Sequence, residues 1–344
     1  MREVPSVSVV IPTFNRPNMT VRAVESVLGQ TLSDFEVIVI DDGSDQVFPS
    51  KMIDDERVRL VRHPANLGVS AARNTGVKES RFPLIAFLDS DDQWLPEKLA
   101  SQIAIYLEHR SKGDLLVYSS YYLEKGRTRI VHPLSSRKEN QALSDFLFLD
   151  GGNVYTSTWL TSRALLERFP FDVQFDQCED YDVLLRMEAA GVEFICCDIP
   201  ATISNGDFRE DRLSSTLNAD SYAKFLQRHS KRLTSMSYVL LESIVSNAAT
   251  NASFGKRLQN HFRRFLTTPR LSLLGRFQLT LTYVIRRSTL KIKARIRQNQ
   301  PASFCRLESY EQCIAGFGCH SWLQSSAAYD ACDQECIGPD LERF

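Results

Sequence analysis

Apolar and polar segments alternate regularly over the first 90 residues. Four short apolar runs predict strands, at 6–11, 36–40, 58–62 and 83–88. Between them, segment 19–30 carries Val21, Val24, Val27 and Leu28 at helical spacing, and 70–80 also predicts a helix. Strands that are largely apolar and alternate with helices predict a mostly parallel sheet covered by helices on both faces, an α/β fold.

The pattern continues to about residue 200. Segment 95–109 predicts a helix, 115–123 a strand, 124–140 a polar loop or hairpin, and 193–200 a last strand. In the segment FDVQFDQCEDYDVLLRMEAAG, one helix face is formed by Tyr181, Leu184, Leu185 and Ala189. Gly191 is placed to end that helix.

Charge divides the rest of the chain. No acidic residue occurs from Ser243 to Arg306, where Lys and Arg recur among apolar residues, and the sign then reverses. We therefore predict a catalytic domain at 1–220, a basic helical extension at 221–300 and an acidic, Cys-containing tail at 301–344.

Composition adds few restrictions. The chain has 344 residues, 43% of them hydrophobic, and a formal net charge of −1. Its first apolar run is too short for a signal peptide. No stretch reaches the roughly 18–20 apolar residues of a membrane helix. These features predict a cytoplasmic protein, with peripheral contact to the inner face of the plasma membrane left open. The tail cysteines lack the paired spacing typical of zinc sites.

Three carboxylates follow the strand at 83–88 directly. Asp89, Asp91 and Asp92 lie in the segment FLDSDDQW. Mg²⁺ and Mn²⁺ prefer carboxylate oxygens and commonly take substrate phosphates as further ligands. A divalent cation carrying a diphosphate would remove the mutual repulsion of these side chains. The alternative is a solvated loop that caps the following helix.

Several motifs occur together, in order: SVVIPTFNRPN, EVIVIDDGSD, HPANLGVSAARNTGV and LIAFLDSDDQWLPEKL. Over about residues 5–215 the chain resembles the family-2 glycosyltransferases, which have the GT-A (Rossmann-like) fold and use nucleotide-sugar donors. Neither Gly-x-Gly-x-x-Gly nor a P-loop is present, which disfavours dinucleotide oxidoreductases and P-loop enzymes.

The resemblance implies a set of donor-site residues. The base, ribose and sugar would be contacted by Pro12, Thr13, Phe14, Asn15, Asp41, Asp42, Asn66, Gly68, Arg73 and Asp89. The divalent metal, Mn²⁺ or Mg²⁺, would be bound by Asp91, with Asp89 and Asp92 as further metal residues. Some of these residues have a plainer interpretation: Phe14 as a core residue, Asp41–Asp42 as a tight turn, and Arg73 as an ion pair.

The second carboxylate pair begins the helix after Cys178. The resemblance implies that Asp180 is the general base, with Glu179 beside it. A base must be ionised and within hydrogen-bond reach of the acceptor hydroxyl, and we expect the helix N-terminus to favour the ionised form. The alternative is an ordinary N-terminal cap. Attack by the acceptor in one displacement would invert the anomeric configuration, so an α-linked donor, most simply a UDP-hexose, would give a β-glycoside.

Two features depart from this picture or extend it. Family members often have a His close to the diphosphate near the end of the domain, where this chain has Arg209 and Arg212.

The basic extension suits an anionic membrane surface and a lipid-linked saccharide acceptor; packing on the catalytic domain is its plainer role. Nucleic acid is a competing partner for basic charge, but no recognisable module accompanies it, so we predict none. A non-catalytic nucleotide-sugar-binding or scaffolding subunit is the alternative function.

Overall fold

The structure, a computed structural model of the chain, describes residues 5–46, 54–126, 128–133, 136–206 and 218–249. All of them belong to the first of two units, Met1–Arg287; the second, Ser288–Phe344, lies outside the described residues. Arg209, Arg212, the basic segment beyond residue 249 and the tail cysteines also lie outside them.

Nine strands of the described residues form one sheet. They are β1 Val7–Thr13, β2 Phe35–Asp41, β3 Val58–Arg62, β4 Leu84–Phe87, β5 Gln93–Trp94, β6 Leu115–Lys125, β7 Thr128–His132, β8 Leu160–Ser162 and β9 Glu193–Asn205. Their order is β3-β2-β1-β4-β8-β6-β9-β5, with β7 paired to β6. The loop or hairpin predicted at 124–140 thus contains a hairpin strand.

Strands β1 to β4 are parallel, which confirms the pattern predicted for the first 90 residues. The second half of the sheet is mixed, because β8 runs antiparallel between β4 and β6 while β9 is parallel to β6. Since parallel strands end at one edge, the polar segments after β1, β2 and β4 meet there, as expected for ligand sites in such sheets.

Eight α-helices occur in the described residues. They are α1 Pro17–Leu28, α2 Val69–Glu79, α3 Lys98–His109, α4 Leu143–Phe148, α5 Arg163–Arg168, α6 Glu179–Ala189, α7 Ala219–His229 and α8 Ser235–Ala249. Gly191, just beyond α6, has a φ of 81° and follows the end of the helix as predicted. No helix among the described residues combines the length and hydropathy needed to cross a membrane.

Apolar residues are buried on both faces of the sheet. Along β1, Val10 packs into one core cluster, whereas Val9 and Ile11 pack into the other. Successive side chains of a strand point to opposite faces, so a continuous apolar run is the sequence expected of a strand covered twice. The strands that end in the polar loops are therefore packed between two apolar cores.

Candidate functional site

Asp42, at the end of β2, organises the loop that leads into α2. Its Oδ1 accepts from the backbone N–H of Leu67 at 3.0 Å and lies 2.7 Å from His63 Nδ1. Its Oδ2 accepts from the backbone N–H of Gly68 at 2.8 Å. The second ring nitrogen of His63 contacts the hydroxyl of Thr75 at 2.9 Å. Asp42 thus fixes the segment that contains Asn66 and Gly68.

Asn15 clips the loop after β1 to the loop after β2. Its backbone N–H donates to Ser44 Oγ at 2.8 Å, and its side chain exchanges two hydrogen bonds with Asp45, at 2.8 and 2.9 Å. Asn15 has a φ of 54°, in the left-handed region that Asn tolerates better than most residues. The neighbouring Phe14 is left 38% exposed, so its ring is not an ordinary core side chain and can receive a planar base.

The other residues predicted to contact the donor lie in β1, in β2 and in the loop before α2. Asp41 is fully buried, accepts from the Ser44 N–H at 3.0 Å and is 3.2 Å from Arg62. The Asn66 side chain accepts from the Gly68 N–H at 3.1 Å. Pro12 and Thr13 end β1 in register with β2, and Thr13 is buried.

Arg73 joins the two carboxylate clusters. It is 4% exposed and donates from one terminal nitrogen to Asp89 Oδ1 and from the other to Glu179 Oε1, each at 2.9 Å. Its guanidinium also lies over the ring of Phe171, 5.2 Å from the centroid. Asp89 and Glu179 are 90 residues apart in sequence. The DSDD loop and the start of α6 therefore belong to one site.

Asp91, the carboxylate predicted from the sequence to bind a cation with a diphosphate, lies near an arginine. Its side chain is 8% exposed and lies 3.8 Å from the guanidinium of Arg16, at the start of α1. No three His, Cys, Asp or Glu side chains of the described residues form a ready-made metal site. Magnesium is commonly held by one or two carboxylates plus substrate phosphates, so Asp91 with the more exposed Asp89 fits such an ion without a third protein carboxylate.

Asp92 has a different environment from the other two. It is 1% exposed, and its oxygens accept from the hydroxyls of Tyr155 and Ser157 at 2.6 Å each and from the Asn205 N–H at 3.3 Å. Burial and the neighbouring carboxylates raise the pKa of Asp92 to about 7, although the two hydroxyls act in the opposite direction. Its carboxylate is directed at the protein interior.

Asp180 is half-buried in the first turn of α6. Burial, followed by the charge of Glu179, raises the pKa of Asp180 to about 7, while the Tyr181 N–H and Arg73 act to lower it. Before it, Cys178 adopts a left-handed φ of 71°, uncommon for a non-glycine residue and often associated with functional sites. A carboxylate with this pKa can take up a proton from a hydroxyl near neutral pH.

The structure adds four residues that the sequence patterns do not single out: Arg16, His63, Tyr155 and Ser157. Arg16 directly follows the PTFN motif, so its position next to the other donor residues was a usable signal. Tyr155 and Ser157 lie in a segment without a motif, more than 60 residues from their carboxylate partner.

Comparison with known proteins gives consistent matches. The family model described as Glycosyl transferase family 2 matches residues 8–169. Similar curated proteins include the amylovoran biosynthesis glycosyltransferase AmsB of Erwinia amylovora, 28% identical over 199 residues that cover 55% of this chain and 66% of that one. Another is the UDP-Glc:alpha-D-GlcNAc-diphosphoundecaprenol beta-1,3-glucosyltransferase WfgD of Escherichia coli, 28% identical over 215 residues, 59% of this chain and 81% of that one. The chain thus spans just under two thirds of AmsB.

Among solved structures, S. aureus TarS 1-349 in complex with UDP-GlcNAc superposes with a TM-score of 0.55. The match covers 84% of this chain and 92% of that one at 17% sequence identity. A similarity at this identity concerns the fold alone.

Proposed function

Residues 8–169 belong to glycosyl transferase family 2, with the GT-A fold, and from this premise we propose that the chain transfers a sugar from a nucleotide-diphosphate donor to an acceptor hydroxyl with inversion. The observation that carries the proposal is the double ion pair of Arg73, which places Asp89 of the DSDD loop and Glu179 of α6 on one guanidinium. A donor carboxylate cluster and a candidate base thereby share one site.

The donor end of the site is formed by the loops after β1, β2 and β4. Phe14 offers an exposed ring for the base, and we assign Asp42 to accept from an imide N–H, which would favour a uridine nucleotide. Arg73 donates one N–H from each terminal nitrogen to a carboxylate, and we assign it the role of holding the two clusters together. Arg16, next to Asp91, is the arginine we assign to the diphosphate.

Members of this family generally use a divalent metal, and the residues present fit one. Asp91 and Asp89 would hold Mg²⁺ or Mn²⁺, which would neutralise charge on the departing diphosphate. Asp180 receives the proton of the acceptor hydroxyl, and burial together with the charge of Glu179 keeps the pKa of Asp180 near neutrality. Arg73 fixes the start of α6 relative to the donor loop, so that the base and the donor are held in a constant relation.

The acceptor is assigned only by class. The names of AmsB and WfgD concern polysaccharide synthesis and, for WfgD, a diphosphoundecaprenol-linked sugar. We propose by analogy that the acceptor is a hydroxyl of a saccharide or lipid-linked saccharide used in surface polysaccharide synthesis.

The deciding experiment measures UDP release by the purified full chain with Mn²⁺ or Mg²⁺, across a panel of UDP-hexoses. Slow donor hydrolysis lets the panel report donor choice before the acceptor is known. We expect metal-dependent release with one or a few donors, lost in Asp91→Ala. Donor binding without turnover, even with a panel of saccharide acceptors, would favour a binding or scaffolding subunit. No binding to any nucleotide sugar would overturn the proposed function.

A further inference from the structure

Asp92 is more deeply buried than Asp89. The Asp89 side chain is 21% exposed, whereas Asp92 is 1% exposed. Oδ2 accepts two hydroxyls at 2.6 Å, and Oδ1 faces the Asn205 N–H at 3.3 Å. A carboxylate has about four acceptor positions, and three are used here inside the protein.

Ser157 ties both ends of the DSDD loop together. Its hydroxyl donates to Asp92 Oδ2 at 2.6 Å and accepts from the Asp89 N–H at 3.0 Å. Its carbonyl oxygen accepts from Trp94 Nε1 at 2.8 Å and from the Thr202 hydroxyl at 3.3 Å. Ser157 lies in a single 3-10 turn, Thr156–Thr158, that is fully buried beneath the loop. The loop therefore rests on a turn that cannot shift without breaking bonds at both ends.

Tyr155 donates a second hydrogen bond to Asp92, and we call Asp92, Tyr155 and Ser157 together the brace. The Tyr155 hydroxyl lies 2.6 Å from Asp92 Oδ2 and 3.5 Å from Asp89 Oδ2, so its one proton goes to Asp92. Its ring packs against Tyr121 of β6, with centroids 5.1 Å apart, and Tyr121 in turn accepts from Asn153 at 2.8 Å. The brace thereby connects the DSDD loop to the strand that leads into the β6–β7 hairpin.

We propose that Asp92 is a positioning residue and not a cation ligand: with the hydroxyls of Tyr155 and Ser157 it holds Asp89 and Asp91 in place for the donor diphosphate and its cation. This assignment rests on the proposed function for the identity of the ligand. Turning Asp92 toward a cation would leave two buried hydroxyl donors without an acceptor, and unsatisfied buried donors are costly.

The direct test measures Mn²⁺ binding in the presence of UDP, by the loss of the free Mn²⁺ signal in electron paramagnetic resonance. Asp91→Asn removes a ligand and is expected to weaken Mn²⁺ binding by at least about 10-fold. Asp92→Asn keeps an oxygen that accepts from Tyr155 and Ser157, so Mn²⁺ binding should stay close to that of the wild type. An equal loss in both variants would overturn the proposal.

Thiol substitution gives a second readout. A thiolate ligand favours softer cations, so Asp91→Cys should bind Cd²⁺ with UDP better than it binds Mn²⁺ and regain UDP release with Cd²⁺. Asp92→Cys should show no such switch in metal preference. A Cd²⁺ preference created by Asp92→Cys would place its side chain in the cation's coordination sphere and contradict the assignment.

The brace itself is tested by conservative rescue and by coupling. Asp92→Ala should lower UDP release by about 10- to 100-fold, and Asp92→Asn should restore most of it. Ser157→Ala added to Asp92→Ala should cost less than Ser157→Ala alone, because the bond from the Ser157 hydroxyl to Asp92 is already lost in Asp92→Ala. Additive losses would contradict a shared brace. Should Asp92→Ala fail to fold, the Mn²⁺ and Cd²⁺ measurements on Asp92→Asn and Asp92→Cys still test the proposal.

These outcomes separate the two proposals. A wild-type chain that binds neither UDP nor any nucleotide sugar would overturn the proposed function and this assignment with it. Normal binding by the wild type with equal losses in Asp91→Asn and Asp92→Asn would overturn only the assignment of Asp92.

Discussion

At Asp180, burial and the neighbouring Glu179 carboxylate oppose the helix N-terminus. The sequence led us to expect that the start of the helix would favour the ionised form, yet the pKa is raised to about 7. The Tyr181 N–H and Arg73 stabilise the carboxylate, but less than burial and Glu179 destabilise it. A pKa near the working pH suits a general base, because the ionised form is present and still takes up a proton readily.

Replacing Asp180 tests this role at the residue itself. Asp180→Asn should lower transfer by about 10²- to 10⁴-fold, the usual contribution of a general base, with UDP binding retained. The measurement is UDP release with acceptor, beside calorimetric UDP binding. The exposed Asp176, four residues earlier, provides the control Asp176→Asn, which should transfer normally. Normal transfer by Asp180→Asn would remove Asp180 from the mechanism.

The pH profile provides a second residue-scale prediction. Asp180 is protonated below its raised pKa and ionised above it, so the transfer rate should rise as pH increases through about 7. Glu179→Gln removes the like charge that raises this pKa, so the midpoint of the rise should move to lower pH. A midpoint that stays in place or moves upward in Glu179→Gln would contradict the assignment.

At the scale of elements, α2 approaches β1 closely through Gly76. A Cβ atom built on Gly76 would lie 2.1 Å from Cγ1 of Val10 and 2.8 Å from Cγ2, both within the buried strand. Arg73 is three residues earlier on the same helix, so the two lie on one helix face. The close packing of α2 on the sheet thus fixes the position from which Arg73 contacts Asp89 and Glu179.

Gly76→Ala should therefore destabilise the fold, even though Ala is the better helix former. Overpacking of this kind typically costs about 1–3 kcal/mol, and urea unfolding measures it. Lys78→Ala, at an exposed position of the same helix, is the matched control and should change the free energy of unfolding little. Equal stability of the two variants would show that the sheet yields to the added methyl group.

A second contact between elements fixes the position of α6. Asp182 is fully buried and contacts Arg186 of its own helix at 2.7 Å and His229 of α7 at 2.8 Å. Burial raises the pKa of Asp182, but these partners outweigh it and leave the pKa lowered. The helix that carries Glu179 and Asp180 is thus fixed by an ionised carboxylate in the core.

For the whole molecule, Arg73 is the connection between the parallel half of the sheet and the start of α6. Asp89 follows β4, whereas Glu179 begins a helix that comes after the antiparallel strand β8. Without the guanidinium, two carboxylates would face each other in a buried region. A buried charge left without its partner is strongly destabilising, whereas an exposed pair contributes little.

Arg73→Met should accordingly cost about 3–5 kcal/mol of unfolding free energy, measured by urea denaturation. Arg168→Met is the matched control, because Arg168 pairs with Asp114 where both side chains are about half exposed, and its loss should cost about 0–1 kcal/mol. Arg73→Lys keeps the charge but loses the two separate terminal nitrogens that bind Asp89 and Glu179. It should therefore fold better than Arg73→Met and still transfer sugar poorly. Similar stability of Arg73→Met and Arg168→Met would contradict this role.

The alternation of apolar strands and helices determined the location of the site. Asp42 and Asp89 were placed at one edge because the strands before them, β2 and β4, were recognisable as buried and parallel, and such strands end together. Boundaries of the first helices and strands differ from the predicted ones by a few residues. The mixed half of the sheet was harder to predict from the sequence, since β8 is only three residues long, Leu160–Ser162, and is too short to show a hydrophobic period.

The use of each carboxylate was decided by the tertiary structure. Asp91 and Asp92 are neighbours of the same residue type, yet Asp92 is bonded to Tyr155 and Ser157, which lie 63 and 65 residues away. Arg73 reaches Glu179 across 106 residues, and Asp180 owes its raised pKa to burial. Hydrogen-bond partners and desolvation arise only when distant segments meet in the folded chain, so no local pattern of residues encodes them.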